Sequence, residues 1–218
     1  MALFDAFLKL DGVKGESADA KHKGEIDIMN FGWGASQTGV QSTGGGGGAG
    51  KVRFHDLCIL KKSDASSPLL MLNCANGAHL QEATLTVCKA GGEQLEYLKI
   101  KLTDVLVSSY KPHSPDSTID WGDGSKVGMA DGSVRSHEHH VHGSAGGAAP
   151  GRASLGDFTT SFWDDWLKLP ALADTLPVDL FSLNFAKVEF AYQPQGADGK
   201  AQGGPIIAGW DVKGNKKT

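Results

Sequence analysis

Cysteine is scarce in this sequence. Cys58, Cys74 and Cys88 are three in 218 residues, an odd number with no C-x-x-C spacing. That argues against a disulfide framework and a thiolate zinc module, and because each lies in an apolar run, the three are read as reduced packing residues. Surplus positive charge is missing too: 21 Lys and Arg stand against 25 Asp and Glu, for a net charge of −4, and they are spread along the chain. Neither nucleic acid nor an anionic membrane surface is an expected partner. No apolar run is long enough to cross a bilayer. The opening MALFDAFLKLDG also lacks the basic start, apolar stretch and small-residue cleavage site of a signal peptide. The protein is expected to be made in the cytoplasm and, if exported, to leave without a cleaved signal.

Catalytic patterns are equally thin. There is no Gly-x-Ser-x-Gly elbow, and no cysteine is followed by a histidine in a recognisable pairing, so no catalytic residue and no cofactor is assigned. Asp120, Asp123, Asp164 and Asp165 lie near tryptophans, as carbohydrate-active carboxylates can, but they read as solvated loop residues.

Glycine is what the chain has in excess, 30 of 218 residues, roughly twice the usual fraction of about 7%. Five are consecutive in TGGGGGAGKVRFHD, where Gly45, Gly50 and Lys51 form all but the end of a phosphate-binding G-x-x-x-x-G-K-[ST] loop. Position 52 is Val, with no hydroxyl for magnesium, and VRFHDLCIL alternates like a strand. No helix N-terminus would therefore face a phosphate. The stretch reads instead as a flexible arm: Gln41, Ser42, Thr43, Gly44, Gly45, Gly46, Gly47, Gly48, Ala49, Gly50 and Lys51.

Elsewhere the period is two. Phe4, Ala6, Leu8 and Leu10 alternate with Asp5, Phe7 and Lys9, and further strands are expected at Glu25–Ser36, Val52–Leu60, Ala83–Lys89, Leu95–Val107, Leu180–Tyr192 and Ile206–Lys213. In the second of these the face holding Phe31 and Trp33 gains more from burial, which leaves Asn30 and Gly32 on the opposite face. One helix is expected, SSPLLMLNCANG, with Ser67 as cap, Pro68 at its first position, Leu69, Leu72 and Ala75 on one stripe against the strands, and Gly77 as its stop. Seven or so strands and one helix predict a mainly β fold, an antiparallel barrel or sandwich, in a single domain spanning residues 1–218.

Composition changes after Tyr110. Residues 111–177 are rich in Gly, Ser, His, Asp and Pro and lack sustained periodicity, which marks an insertion between two strands. Within it KVGMADGSVRS suits a hairpin about Asp131-Gly132. His137, His139, His140 and His142, in SHEHHVHG, have metal-ligating side chains but match no standard zinc spacing. Phe158, Phe162, Trp163 and Trp166 suit a short aromatic helix, whose apolar face should dock on this chain or a neighbour.

Six blocks, in order, carry a family resemblance: FLKLDGVKGESADAKHKGEIDI, FGWGASQTG, GGGGGAGKV, LLMLNCANGAHLQEATLTVCKAGG, EYLKIKLTDVLVSS and LNFAKVEFAYQPQGADGKAQGGPIIAGWDVKGN. Together they resemble the haemolysin-coregulated protein (Hcp) family, the tube proteins of type VI secretion systems. The resemblance implies a phage tail-tube-like antiparallel β-barrel of two sheets with one short flanking helix. It implies homohexameric rings stacked into an exported tube inside a contractile sheath, tipped by a spike protein, with effector proteins in the lumen. On that footing the arm from Gln41 to Lys51 is a ring or stacking interface, and Asn30 and Gly32 face the lumen. The insertion at 111–177 departs from the family's short loop. The alternative within the same machinery is a specialised subunit whose insertion acts as an effector or adaptor. A metal-dependent enzyme using the histidines and a free-standing β-rich binding module are the rival readings.

Overall fold

The computed structural model describes residues 4–37, 52–89, 94–113, 118–120, 126–128, 176–196 and 199–218. The chain divides into two compact units, Met1–Pro112 with Val178–Thr218, and His113–Pro177.

In the first unit the order is β1 (Phe4–Leu10), β2 (Ile26–Ile28), β3 (Asn30–Gly32), β4 (Ala35–Ser36), β5 (Arg53–Phe54), β6 (Leu57–Lys62), α1 (Ser67–Asn76), β7 (His79–Lys89) and β8 (Leu95–His113). The second unit contributes β9 (Thr118–Asp120) and β10 (Lys126–Gly128), and the first resumes with β11 (Val178–Tyr192), β12 (Ile206–Asp211) and β13 (Lys216–Lys217). The main sheet runs β2-β1-β7-β8-β11-β12-β13, with β6 also on β11 and β3 on β6. Every pairing with a described register is antiparallel, as the sequence predicted.

The pairings return on themselves. β2 lies against β1, and after Met29 alone the chain continues as β3 against β6, with the Met29 N–H donating to the Leu60 carbonyl at 2.9 Å. β6 pairs with Val178–Leu183 of β11, whose other neighbour β8 leads through β7 back to β1. That circuit has the strand order expected of a barrel. Inside it Ala6, Leu8 and Leu10 meet Ala83, Leu85 and Val87, then Ile100, Leu102, Leu57, Ile59, Phe181 and Leu183. Each fully buried large side chain here contributes about 1.5–3 kcal/mol relative to exposure.

Period two holds only piecewise. In the expected strand Glu25–Ser36, Ile26 and Ile28 are buried in the core, but beyond Met29 it is Phe31 and Trp33 that pack against it. The inward face changes where the chain passes from β1 to β6. In β8 the inward residues are Ile100 and Leu102, then Val105 and Val107, and Asp104 between them has φ 55°. The ladder with β7 keeps its register across this point, Glu82 opposite Thr103 and Leu80 opposite Val105, so β7 changes face with it. β11 does the same after Phe185, where it exchanges β6 for β12: Phe181, Leu183 and Phe185 point inward, then Val188.

The helix corrects one expectation. Leu70 is its buried residue and Cys74, one turn on, packs against the core, whereas Leu69 and Leu72 of the predicted stripe are 40% and 51% exposed and Ala75 is exposed. The cap position belongs to Ser66, whose carbonyl accepts the Leu70 N–H at 2.9 Å, because Ser67 is already helical and its hydroxyl is engaged elsewhere. Gly77 ends the helix in the left-handed conformation at φ 64°, as its type suggested.

Residues 14–25 fold over the outer face of β1. Gly15 donates to the Gly24 carbonyl at 2.9 Å and Ser17 to that of Glu25 at 3.0 Å, which presses the His22 ring flat on Phe7, centroids 4.3 Å apart. Phe7 is outward by alternation yet buried for this reason.

β4 and β5 form the two-residue stem from which the arm departs. Residues 41–51 lie outside the described residues. In the second unit Lys126, Val127 and Gly128 pair with Asp120, Ile119 and Thr118, so 126–128 is a strand with an upstream partner; the expected downstream arm beyond Asp131-Gly132 lies outside the described residues.

Candidate functional site

The face of β3 turned away from the core carries the predicted channel residues, half-buried Asn30 and buried Gly32, and cross-strand geometry extends that face. Gly32 is opposite Cys58, and Cys58 is opposite Ser182. The Ser182 hydroxyl lies 2.8 Å from that of Ser108 and 2.6 Å from that of Ser109. Ser108 in turn donates to Asp56 Oδ2 at 2.5 Å, while Asn184 Nδ2 donates to Asp56 Oδ1 at 2.8 Å. The result is a strip of small polar groups across four strands, its hydroxyls bonded to one another and to Asp56. Sequence reasoning singled out Asn30 and Gly32 on this face but not Asp56, Cys58, Ser108, Ser182 or Asn184. Small polar residues inside otherwise apolar strands were the available signal, but only the pairing puts them side by side.

A second arrangement has the form of a catalytic array. Cys88 Sγ is 3.8 Å from His22 Nε2, and His22 Nδ1 is 2.9 Å from Glu25 Oε2. The sequence search missed it because the histidine precedes the cysteine by 66 positions. Its chemistry is that of a packed lock. Burial first, then the charge of Glu96, pushes the Cys88 thiol up to about 11, and the sulfur is fully enclosed. At neutral pH only about one thiol in ten thousand would be ionised, whereas reactive cysteines have lowered values.

A third cluster fastens α1 to the sheet. Lys61, with no exposure, has its Nζ 2.7 Å from Asp64 Oδ1 and 3.0 Å from Asp179 Oδ2, and it also donates to the Lys62 carbonyl and Ser67 Oγ. Ser63 and Ser67 donate to the two Asp179 oxygens. Burial alone would raise the Asp179 carboxyl, but hydrogen bonds from Ser67, Ser63 and Lys61 outweigh it and hold the group below the usual range. Burial, then the Asp179 charge, pushes the nearby Tyr110 phenol up to about 12.

Among the described residues, no three His, Cys, Asp or Glu side chains gather as a metal site, and no helix is long and apolar enough to cross a membrane. The interface arm, the aromatic residues Phe158, Phe162, Trp163 and Trp166, and His137, His139, His140 and His142 lie outside the described residues.

Comparison with known proteins converges on one family. The family model described as "Type VI secretion system effector, Hcp" matches residues 7–192. The protein hcp1 of Pseudomonas aeruginosa is 38% identical over 212 residues, covering 97% of this chain and 96% of the relative. A solved type six secretion system protein aligns with TM-score 0.67 and 26% identity over 99% of each chain, and Hcp1 from Salmonella typhimurium with TM-score 0.59 and 26% identity over all of both.

Proposed function

This chain belongs to the Hcp family of type VI secretion proteins, and from that membership we propose that it is the tube subunit of such a system, assembling as homohexameric rings that stack into an exported tube. The family is one of secreted structural tube proteins, which agrees with a Cys-His-Glu array too deeply buried and too weakly acidic to react. In this reading the arm from Gln41 to Lys51, leaving from the β4–β5 stem, reaches a neighbouring subunit or ring. Sheath and spike are its partners in the machine, and it is secreted with the tube.

The observation that carries the reading is the small polar strip from Gly32 through Cys58, Ser182 and Ser108 to Asp56, on the sheet face opposite the core. A channel wall must present groups that satisfy their own hydrogen bonds and offer little apolar surface, so that an effector is held loosely and released. A compact second unit at His113–Pro177 favours the more specialised version, in which the inserted unit is an effector or an adaptor for one.

Light scattering on the purified chain tests the assembly: a particle near six times 22.9 kDa supports it, and a stable single chain would overturn it. Effector carriage is tested by Ser182→Trp, which should reduce co-purification of effectors while leaving the ring intact.

A further inference from the structure

The last turn of α1 holds a reactive peptide that neither the core nor the polar strip uses. Of the asparagines Asn30, Asn73, Asn76, Asn184 and Asn215, Asn76 alone is followed by glycine. It ends the helix and is exposed, as are Ala75 and Gly77 on either side. Gly77 has left-handed backbone, φ 64°, and nothing lies within 4 Å of where its Cβ would stand. Water reaches this peptide from the open side, and no side chain screens its nitrogen. The other asparagines are followed by Phe31, Cys74, Phe185 and Lys216, whose side chains crowd the same approach.

The Asn76 carboxamide is already turned along the main chain beside Gly77, because the Ala78 N–H donates to its Oδ1 at 2.8 Å. That bond draws electron density from Cγ and places a donor on the oxygen that becomes an oxyanion when a nucleophile adds there. One contact opposes the attack: the Gly77 N–H donates to the Asn73 carbonyl. The Ala78 N–H also reaches that carbonyl, at 3.3 Å, and the bond is the terminal one of the helix, where ends fray.

We propose that Asn76 is a site of spontaneous covalent modification, converted through a cyclic imide to aspartate and isoaspartate. The Gly77 nitrogen loses its proton to solvent base and adds to Asn76 Cγ. The new N–C bond closes a five-membered ring, the bond from Cγ to the carboxamide nitrogen breaks, and that nitrogen takes up a proton and leaves as ammonia. Water then opens the imide. Hydrolysis at Cγ gives aspartate, and hydrolysis at the backbone carbonyl gives isoaspartate, which carries an extra methylene in the main chain. One water is consumed and nothing is oxidised or reduced.

Each event adds a negative charge to a chain whose net charge is already −4. The charge falls at the negative end of the helix dipole, and no basic residue in the last turn offsets it. The first turn stays fastened through Lys61, Ser67 and Asp179, so the loosening is confined to the join with β7. Conversion therefore marks the age of the folded chain on the outer surface of α1, and it does so whether or not the chain builds a tube.

The test incubates the full chain in mildly alkaline buffer made with heavy-oxygen water, then digests it with pepsin at low pH. Tandem mass spectrometry with electron-transfer fragmentation distinguishes aspartate from isoaspartate. Asn76 should convert at least tenfold faster than any other asparagine, to a mixture of both products, each carrying one heavy oxygen. Asn76→Gln, whose longer side chain cannot close the five-membered ring, should show no conversion at this position while its circular dichroism is unchanged. In Asn76→Asp, amide hydrogen exchange should be faster than in the unaltered chain across Asn73–Asn76 and the same across Ser67–Leu70. An Asn76 that stays intact in the folded chain while a free peptide spanning Ser63–Lys89 converts would overturn the proposal, because the bond from Gly77 to Asn73 would then hold the nitrogen back. Conversion no faster than at the other asparagines would overturn it equally, and unchanged exchange in Asn76→Asp would overturn the loosening of the helix end.

Discussion

Lys61 and Asp179 are directly opposite on β6 and β11, and their side chains form a 3.0 Å ion pair that solvent scarcely reaches, beneath the first turn of α1. Removing Asp179 leaves buried Lys61 with Asp64 as its one remaining carboxylate and leaves the Ser63 and Ser67 hydroxyls without their acceptor. Asp179→Ala should cost about 3 kcal/mol of unfolding free energy in urea denaturation, whereas Lys61→Met with Asp179→Leu together should cost clearly less, because the buried ammonium goes with its partner and Asp64 keeps the Ser66 N–H and hydroxyl as donors. Equal losses in the two would show that the pair is not what the cluster contributes.

The same carboxyl sets an acid dependence. Its folded value lies below that of the unfolded chain, so its contribution is complete above the ordinary aspartate range near pH 4 and is lost as pH falls from there through the lower folded value. The stability difference between the unaltered protein and Asp179→Asn should therefore be constant from about pH 7 to 5 and shrink below about pH 4. A difference that grew on acidification would have the wrong sign.

On α1 the expected asymmetry is large. Leu70→Ala should cost about 2–5 kcal/mol, as buried leucine truncations do, while Leu72→Ala should stay within about 0.5 kcal/mol in the isolated chain. Denaturation at a concentration too low for assembly is the measurement, since a partner on the exposed face would otherwise add to the second value.

Asp104 holds the left-handed conformation at which β8 changes its inward face, and His79 Nδ1 and Lys213 Nζ bind its carboxylate at 2.7 and 2.6 Å. Both contacts are solvent-exposed and of little weight, so backbone conformation should govern. Thermal midpoints should fall in the order Asp104→Gly, Asp104→Ala, Asp104→Val, the last lowest because a β-branched residue is most strained there. Asp104→Gly as damaging as Asp104→Val would transfer the role to the carboxylate.

Gly15 has no room for a side chain: a Cβ would run into the Glu25 carbonyl and come within 2.6 Å of Ile26 Cα. Gly15→Ala should lift the loop that seats His22 and open the way to Cys88. Thiol labelling of the native protein near pH 8 should spare Cys88, and labelling at Cys88 should become measurable in Gly15→Ala, read by peptide mass spectrometry. Unchanged protection would mean that the loop is not the cover.

Much of the barrel was legible because alternation in segments such as Phe4–Leu10 records burial on one face of a strand directly. The ends of strands and the helix face were less so. Leu69, Leu70 and Leu72 are interchangeable in hydrophobicity, and only the position of the sheet beneath α1 selects Leu70. The polar strip was half legible: that Asn30 and Gly32 turn away from the core followed from the pull of Phe31 and Trp33 toward it, whereas Ser108 and Ser182 are 74 positions apart and meet only through the pairing of β8 with β11.

What the sequence determined by itself was therefore local and compositional: strands from their period, the helix stop from Gly77, the family from six ordered blocks. The tertiary structure alone decided where each strand turns its other side inward, at Met29, at Asp104 and after Phe185. A strand's period states that one face is buried; which face is set by the neighbour it lies against, and at Met29 and after Phe185 the chain exchanges one neighbour for another.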